Sequence, residues 1–163
     1  MNKIKKVIPV VILVIMLSGI MTGCGVDDID ISGYEKETVS LVGIDKKPVK
    51  ISVKELKALD CVTVTTESTS DKIGEVRATG PLLTTVLEKY GADLSDYSKI
   101  VLHGTDQYDV KLLKDYLAEH DLMLAFGIDG KPLDEESKPV RLIIEDSDSA
   151  YWIRMINKIE FVK

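Results

Sequence analysis

Cys61 to Thr66 reads Cys-Val-Thr-Val-Thr-Thr, a run that alternates apolar and polar side chains and is almost wholly β-branched. Period-two patterning of this kind belongs to a half-buried strand. Shorter runs repeat the theme. Thr38–Gly43 and Pro48–Ile51 flank a polar turn, and Ile73–Ala78, Lys99–His103 and Tyr108–Val110 read as strands. Leu122–Phe126, Pro139–Glu145 and Met155–Val162 complete the set, with Asp129-Gly130 as a tight turn. Helical signals are few. Ser52 opens Ser-x-x-Glu with Glu55, a capping box for a helix through Leu59. Pro81 starts a second, with Leu83, Val86 and Leu87 on one face and Gly91 at its end; Leu112–Glu119 forms a third. Many short strands and about three short helices predict a mixed α+β domain with a mostly short-stranded sheet, not a doubly wound nucleotide fold.

The N-terminus follows other rules. Lys3, Lys5 and Lys6 precede an apolar stretch from Val7 to Met16, and small residues lead into Met21-Thr22-Gly23-Cys24. This is the layout of a secretory signal over residues 1–23, too short for a comfortable transmembrane span. The final four residues resemble a bacterial lipobox, which predicts lipidation of Cys24 and a domain held by lipid on the extracytoplasmic face of the membrane. The alternative is an uncleaved apolar anchor, which places the domain on the same side. Residues 24–37 hold Asp27, Asp28 and Asp30 among Gly and Ser, and read as a flexible tether with solvated carboxylates. The globular domain is therefore expected over residues 38–163.

Beyond residue 23 there are 18 basic and 27 acidic side chains, a net charge of −9 with no basic cluster. Phosphate neutralisation needs concentrated Lys and Arg, so nucleic acid is excluded as a partner. No glycine-rich loop precedes a helix, and no Cys or His pair has metal-ligand spacing, so no metal site is predicted. The acidic run Glu145–Ser149 lacks the Gly and terminal Glu of a calcium loop and reads as an exposed turn. His103 is the one credible general base, although a strand-end histidine is more often structural. Cys61, on an alternating apolar strand without a flanking positive charge, reads as an inert buried thiol. No catalytic residue is assigned from the residues alone.

Several segments in order carry a resemblance over about 110 residues. They are Ile51–Leu56, Gly80-Pro-Leu-Leu-Thr-Thr-Val-Leu87, His103-Gly-Thr-Asp-Gln-Tyr108, Leu122–Leu133, Lys138-Pro-Val-Arg-Leu-Ile-Ile144 and Arg154–Glu160. Together they resemble the molybdopterin-binding oxidoreductase domain of the sulfite oxidase family. Leu122-Met-Leu-Ala-Phe-Gly-Ile-Asp-Gly-Lys-Pro-Leu133 is the most specific of them. The resemblance implies that fold, with molybdopterin as the family cofactor and one cysteine thiolate on molybdenum.

Departures from the pattern qualify the implied activity. Counting back twelve residues from Gly80 to the family's cysteine position gives Ser68, a harder and far less acidic ligand than a thiolate. Cys61 falls seven residues too early, and the family's His-Gly before Pro-x-Arg is replaced by Ser137-Lys138. Family members outside the cytoplasm usually cross folded by a twin-arginine route, whereas this leader has Lys5-Lys6 and no arginine. The expectation is a cell-envelope lipoprotein that has lost its molybdenum ligand, with no cofactor, leaning away from an enzyme and toward a binding or interaction module. Its partner would be a small anion or an envelope protein, and its candidate pocket Ser68, Arg77, His103, Arg141 and Arg154. The alternative is a molybdopterin-dependent oxidoreductase with a nonstandard metal ligand. A structural envelope domain without a ligand is the third reading.

Overall fold

The computed structural model describes residues 26–70 and 73–163. The signal segment and Cys24 lie outside the described residues. Five strands, β1 (Thr38–Val42), β2 (Val49–Ser52), β5 (Lys99–Gly104), β6 (Asp109–Leu113) and β11 (Ile156–Val162), form one sheet in the order β2-β1-β11-β5-β6. Only β1 and β11 pair in parallel within it. A second sheet has the order β3-β4-β8-β9, from β3 (Cys61–Thr66), β4 (Val76–Pro81), β8 (Gly127–Ile128) and β9 (Lys131–Pro132). β7 (Leu122–Ala125) and β10 (Arg141–Ile144) make an antiparallel pair. With α1 (Val53–Lys57), α2 (Leu83–Glu88) and α3 (Lys114–Glu119), the fold is mixed α+β.

Local chemistry explains much of this. Ser52 Oγ accepts the Glu55 backbone N–H at 3.2 Å while Glu55 Oε2 accepts the Ser52 N–H at 2.9 Å, so the capping box forms as its spacing predicts. Asp129 and Gly130 both take positive φ in the β8–β9 turn. Alternation sends Ile100 and Leu102 of β5, and Ile159 and Phe161 of β11, into a core that also holds Leu41, Leu87 and the fully buried Leu124.

Two expectations are corrected. Pro81 does not open α2; it ends β4, opposite Cys61, and the helix begins at Leu83 without a side-chain cap. β4 runs this far because Gly80 lets it cross β7 closely: a Cβ there would lie 2.2 Å from the Leu124 carbonyl oxygen.

The second correction concerns the tether. Of residues 24–37, those from 27 onward are strapped to the domain. Ile29 is fully buried, Ile31 and Tyr34 nearly so. The Tyr34 hydroxyl donates to the Phe126 carbonyl and accepts the Leu133 N–H at 3.2 Å. The segment lacks helical or strand periodicity, yet burying Ile29 alone contributes about 1.5–3 kcal/mol, enough to hold irregular chain in place.

Candidate functional site

An open cleft of about 630 Å³ lies where the β5–β6 hairpin, the loop before β10 and the segment between β10 and β11 converge. Its walls include Asp106, Tyr108, Asp134, Ser137, Arg141 and Arg154, and Ser149, Trp152 and Ile73 also face it. Trp152 is held by its indole N–H, which donates to the Ile144 carbonyl at 3.0 Å and to Ser147 Oγ at 3.1 Å. The Tyr108 hydroxyl donates to the Ala150 carbonyl at 2.9 Å and braces the rim. The run Glu145–Ser149 is thus not a merely exposed turn. Ser147 is buried, and Asp148 accepts the Ala150 N–H at 2.8 Å to cap a 3-10 turn.

Arg141 starts β10, and its guanidinium lies 6.0 Å from the Trp152 ring centroid. Its Nε is buried and has no hydrogen-bond partner among the described residues. Burial lowers its pKa, the like charge of Arg154 lowers it further, and Asp134 opposes both. An arginine keeps its proton under such pressure, so the cleft holds a charged, incompletely satisfied donor. Leaving a buried donor unpaired costs about 1–3 kcal/mol.

Arg154 approaches Glu136 at 3.7 Å, with both side chains largely in solvent, a pairing worth little. Its position depends on Met155, which takes φ +55°. The Met155 carbonyl accepts the Thr105 N–H at 3.0 Å, and its N–H donates to Ser137 O at 3.3 Å. These two loops hold the left-handed kink that brings Arg154 to the cleft.

Ser68 sits behind the wall. Its Oγ accepts the Ser149 N–H at 2.9 Å and the Ser70 N–H at 3.1 Å, and shares a 2.9 Å hydrogen bond with Ser70 Oγ. The hydroxyl is committed to joining two loops.

The remaining candidates are elsewhere. His103 Nδ1 lies 2.9 Å from Asp109 Oδ1, and Nε2 lies 3.5 Å from Glu160. Ile100 and Leu102 point inward, so alternation turns His103 to the other face of the sheet, although its strand continues to the cleft. Arg77 faces outward from β4 and binds Asp27 at 2.7 Å. The expected pocket of five residues is therefore corrected: Arg141 and Arg154 line one cleft, Ser68 supports its wall, and His103 and Arg77 are outside it. Asp106 and Tyr108 lie inside a segment that carries the family resemblance but outside the expected pocket, and Ser137, noted as a departure from the family pattern, lines the cleft as well. Trp152 had no such signal beyond being the single tryptophan of the chain.

A thiolate-held molybdenum does not fit these side chains. Among the described residues the cleft lining holds no thiol. Cys61, the free cysteine among the described residues, points its Sγ at the Leu56 and Lys57 carbonyls, 3.5 and 3.7 Å away. Burial, reinforced by Asp60, pushes its pKa up to about 11, which keeps it protonated. No cluster of three or more metal-ligating side chains occurs among the described residues.

Comparison with known proteins places this geometry. No curated protein matches the chain. Among solved structures, the sulfane dehydrogenase SoxCD from Paracoccus pantotrophus is similar in fold, with a TM-score of 0.64 at 16% sequence identity. The likeness covers 78% of this chain and only 38% of that one, so the chain spans well under half of its neighbour. The family model described as the oxidoreductase molybdopterin binding domain matches residues 26–163, which include the buried strap. The chain belongs to the oxidoreductase molybdopterin binding domain family.

Proposed function

We propose that this domain is an anion-binding module of the cell envelope, built on the molybdopterin-binding fold but without its molybdenum. The observation that carries the reading is the Arg141 guanidinium, half-buried at the cleft, its Nε without a partner among the described residues, with a second guanidinium at the same wall. A rigid fork of donors suits a small oxyanion. Ser68 stands where the family's cysteine is expected, and its hydroxyl is already occupied by backbone and side-chain partners. In this reading Cys24 carries lipid and the domain works outside the cytoplasmic membrane.

Thermal-shift and calorimetric titration of the mature protein with sulfate, phosphate, nitrate and free pterin test the proposal. One of these anions is expected to bind with Kd of about 10 µM to 1 mM, roughly −4 to −7 kcal/mol. Arg141→Ala is expected to abolish the response, whereas Lys89→Ala leaves it intact. Family membership favours the second reading, a molybdopterin-dependent oxidoreductase with a nonstandard ligand. Stoichiometric molybdenum in protein made with ample molybdate and active cofactor synthesis would falsify the module reading in its favour. If no anion raises the melting temperature and the protein is metal-free, the cleft is not an anion site, and a protein partner replaces the anion in the proposal.

A further inference from the structure

The buried strap leaves almost no chain between the lipid-bearing position and the folded domain. Among the described residues Asp27 is the first with fixed partners: its N–H donates to Thr63 Oγ1 at 3.1 Å, and its carboxylate accepts from Arg77 at 2.7 Å. Lys57 then binds both the Asp28 carboxylate and the Ile29 carbonyl at 2.7 Å, and Ile29 is fully buried. A chain extends at most about 3.3–3.6 Å per residue, so the three steps from Asp27 to Cys24 span no more than about 11 Å.

We infer that the domain lies directly against the lipid surface, with the Asp27–Arg77 corner and the β8–β9 turn facing the bilayer. This rests on the lipid-anchored reading of Cys24. The chemistry of the corner is compatible with a membrane. Val26 is an exposed apolar side chain beside the anchor, and Lys131 is exposed on β9. The Asp27 carboxylate lies close to Gly130, which places the β8–β9 turn at the same corner. Two of the strap's acidic groups, Asp27 and Asp28, are each paired with a cation, which reduces their repulsion from anionic headgroups. A flexible tether spanning residues 24–37 would let the domain tumble freely; a chain strapped down from Asp27 onward does not.

The test uses the full lipidated chain with Cys61→Ser, reconstituted in phosphatidylethanolamine–phosphatidylglycerol vesicles containing a headgroup spin-labelled lipid. A fluorophore is placed by Lys131→Cys in one sample and by Lys111→Cys in another. Lys111 is exposed on β6, at the outer edge of the other sheet. Quenching at position 131 is expected to be several-fold stronger than at 111. A Gly/Ser insert of about 12 residues between Gly25 and Val26, adding a mean span of about 20 Å, is expected to remove that difference. Equal quenching at both positions in a chain carrying lipid at Cys24 overturns the apposition and leaves the anchoring intact. So does a difference that survives the insert. A chain that mass spectrometry finds without lipid overturns the anchoring reading, and the apposition with it.

Discussion

Ile29 lies across Gly127 so closely that a Cβ at Gly127 would stand 2.5 Å from Ile29 Cγ1. The contact joins the N-terminal strap to the first residue of β8, and Ile29 is fully buried in making it. Strap and second sheet therefore form one packed unit, and this fit dictates a glycine at position 127.

Gly127→Ala is expected to destabilise the domain by about 1–3 kcal/mol through overpacking. Ile29→Ala is expected to cost about 2–5 kcal/mol through lost burial and the cavity left behind. The double variant should lose less than the sum, because removing the isoleucine makes room for the new methyl. Urea melts of the mature chain measure all three. Strict additivity would show that the two residues do not touch.

Tyr34→Phe removes a hydroxyl that serves both the Phe126 carbonyl and the Leu133 N–H. The two partners are then left unpaired in the interior, at a cost of about 1–3 kcal/mol. The tyrosine also carries a pH signature. Burial, its largest influence, raises its pKa above the ordinary tyrosine value, so the neutral form is favoured in the folded state. That stabilisation is complete below the unfolded value of about 10 and is lost as pH rises through the folded one. Denaturant midpoints followed into alkali should fall less steeply for Tyr34→Phe than for the parent. Tyr90, Tyr97 and Tyr116, also raised by burial, keep the remaining slope.

Arg141→Met separates binding from stability. It removes a buried donor that has no partner among the described residues and keeps an unbranched apolar stem. Stability is expected to change by less than about 1 kcal/mol, or to rise, while any anion response disappears. A loss of several kcal/mol in thermal or denaturant melts would instead make Arg141 a structural residue.

Ser68→Ala deletes the acceptor for the Ser149 and Ser70 amides. The expected cost is about 1 kcal/mol, with metal content unchanged from the parent. A variant that loses bound molybdenum would identify Ser68 as a metal ligand, and elemental analysis of both proteins reads this directly.

Features written in near neighbours were legible in the sequence. The Ser52–Glu55 box, the Asp129-Gly130 turn and the alternation of Cys61–Thr66 each depend on residues a few positions apart. The ordered motifs likewise led to the family, because they are turn glycines and apolar strand faces, each read from a short run of residues.

What only the tertiary structure decided depends on partners far along the chain. Ile29 is core because Gly127 leaves room for it, and nothing within residues 24–37 announces that groove. Pro81 stays in a strand because β3 pairs with it, despite its fitness for a helix start. Arg141 and Arg154 meet because loops from β5 and from the approach to β10 hold Met155 in a left-handed kink, while strand alternation turns His103 away. Local hydrogen bonding and periodicity act over a turn or a strand. The long-range burial and loop convergence that shape this cleft require distant segments already in place.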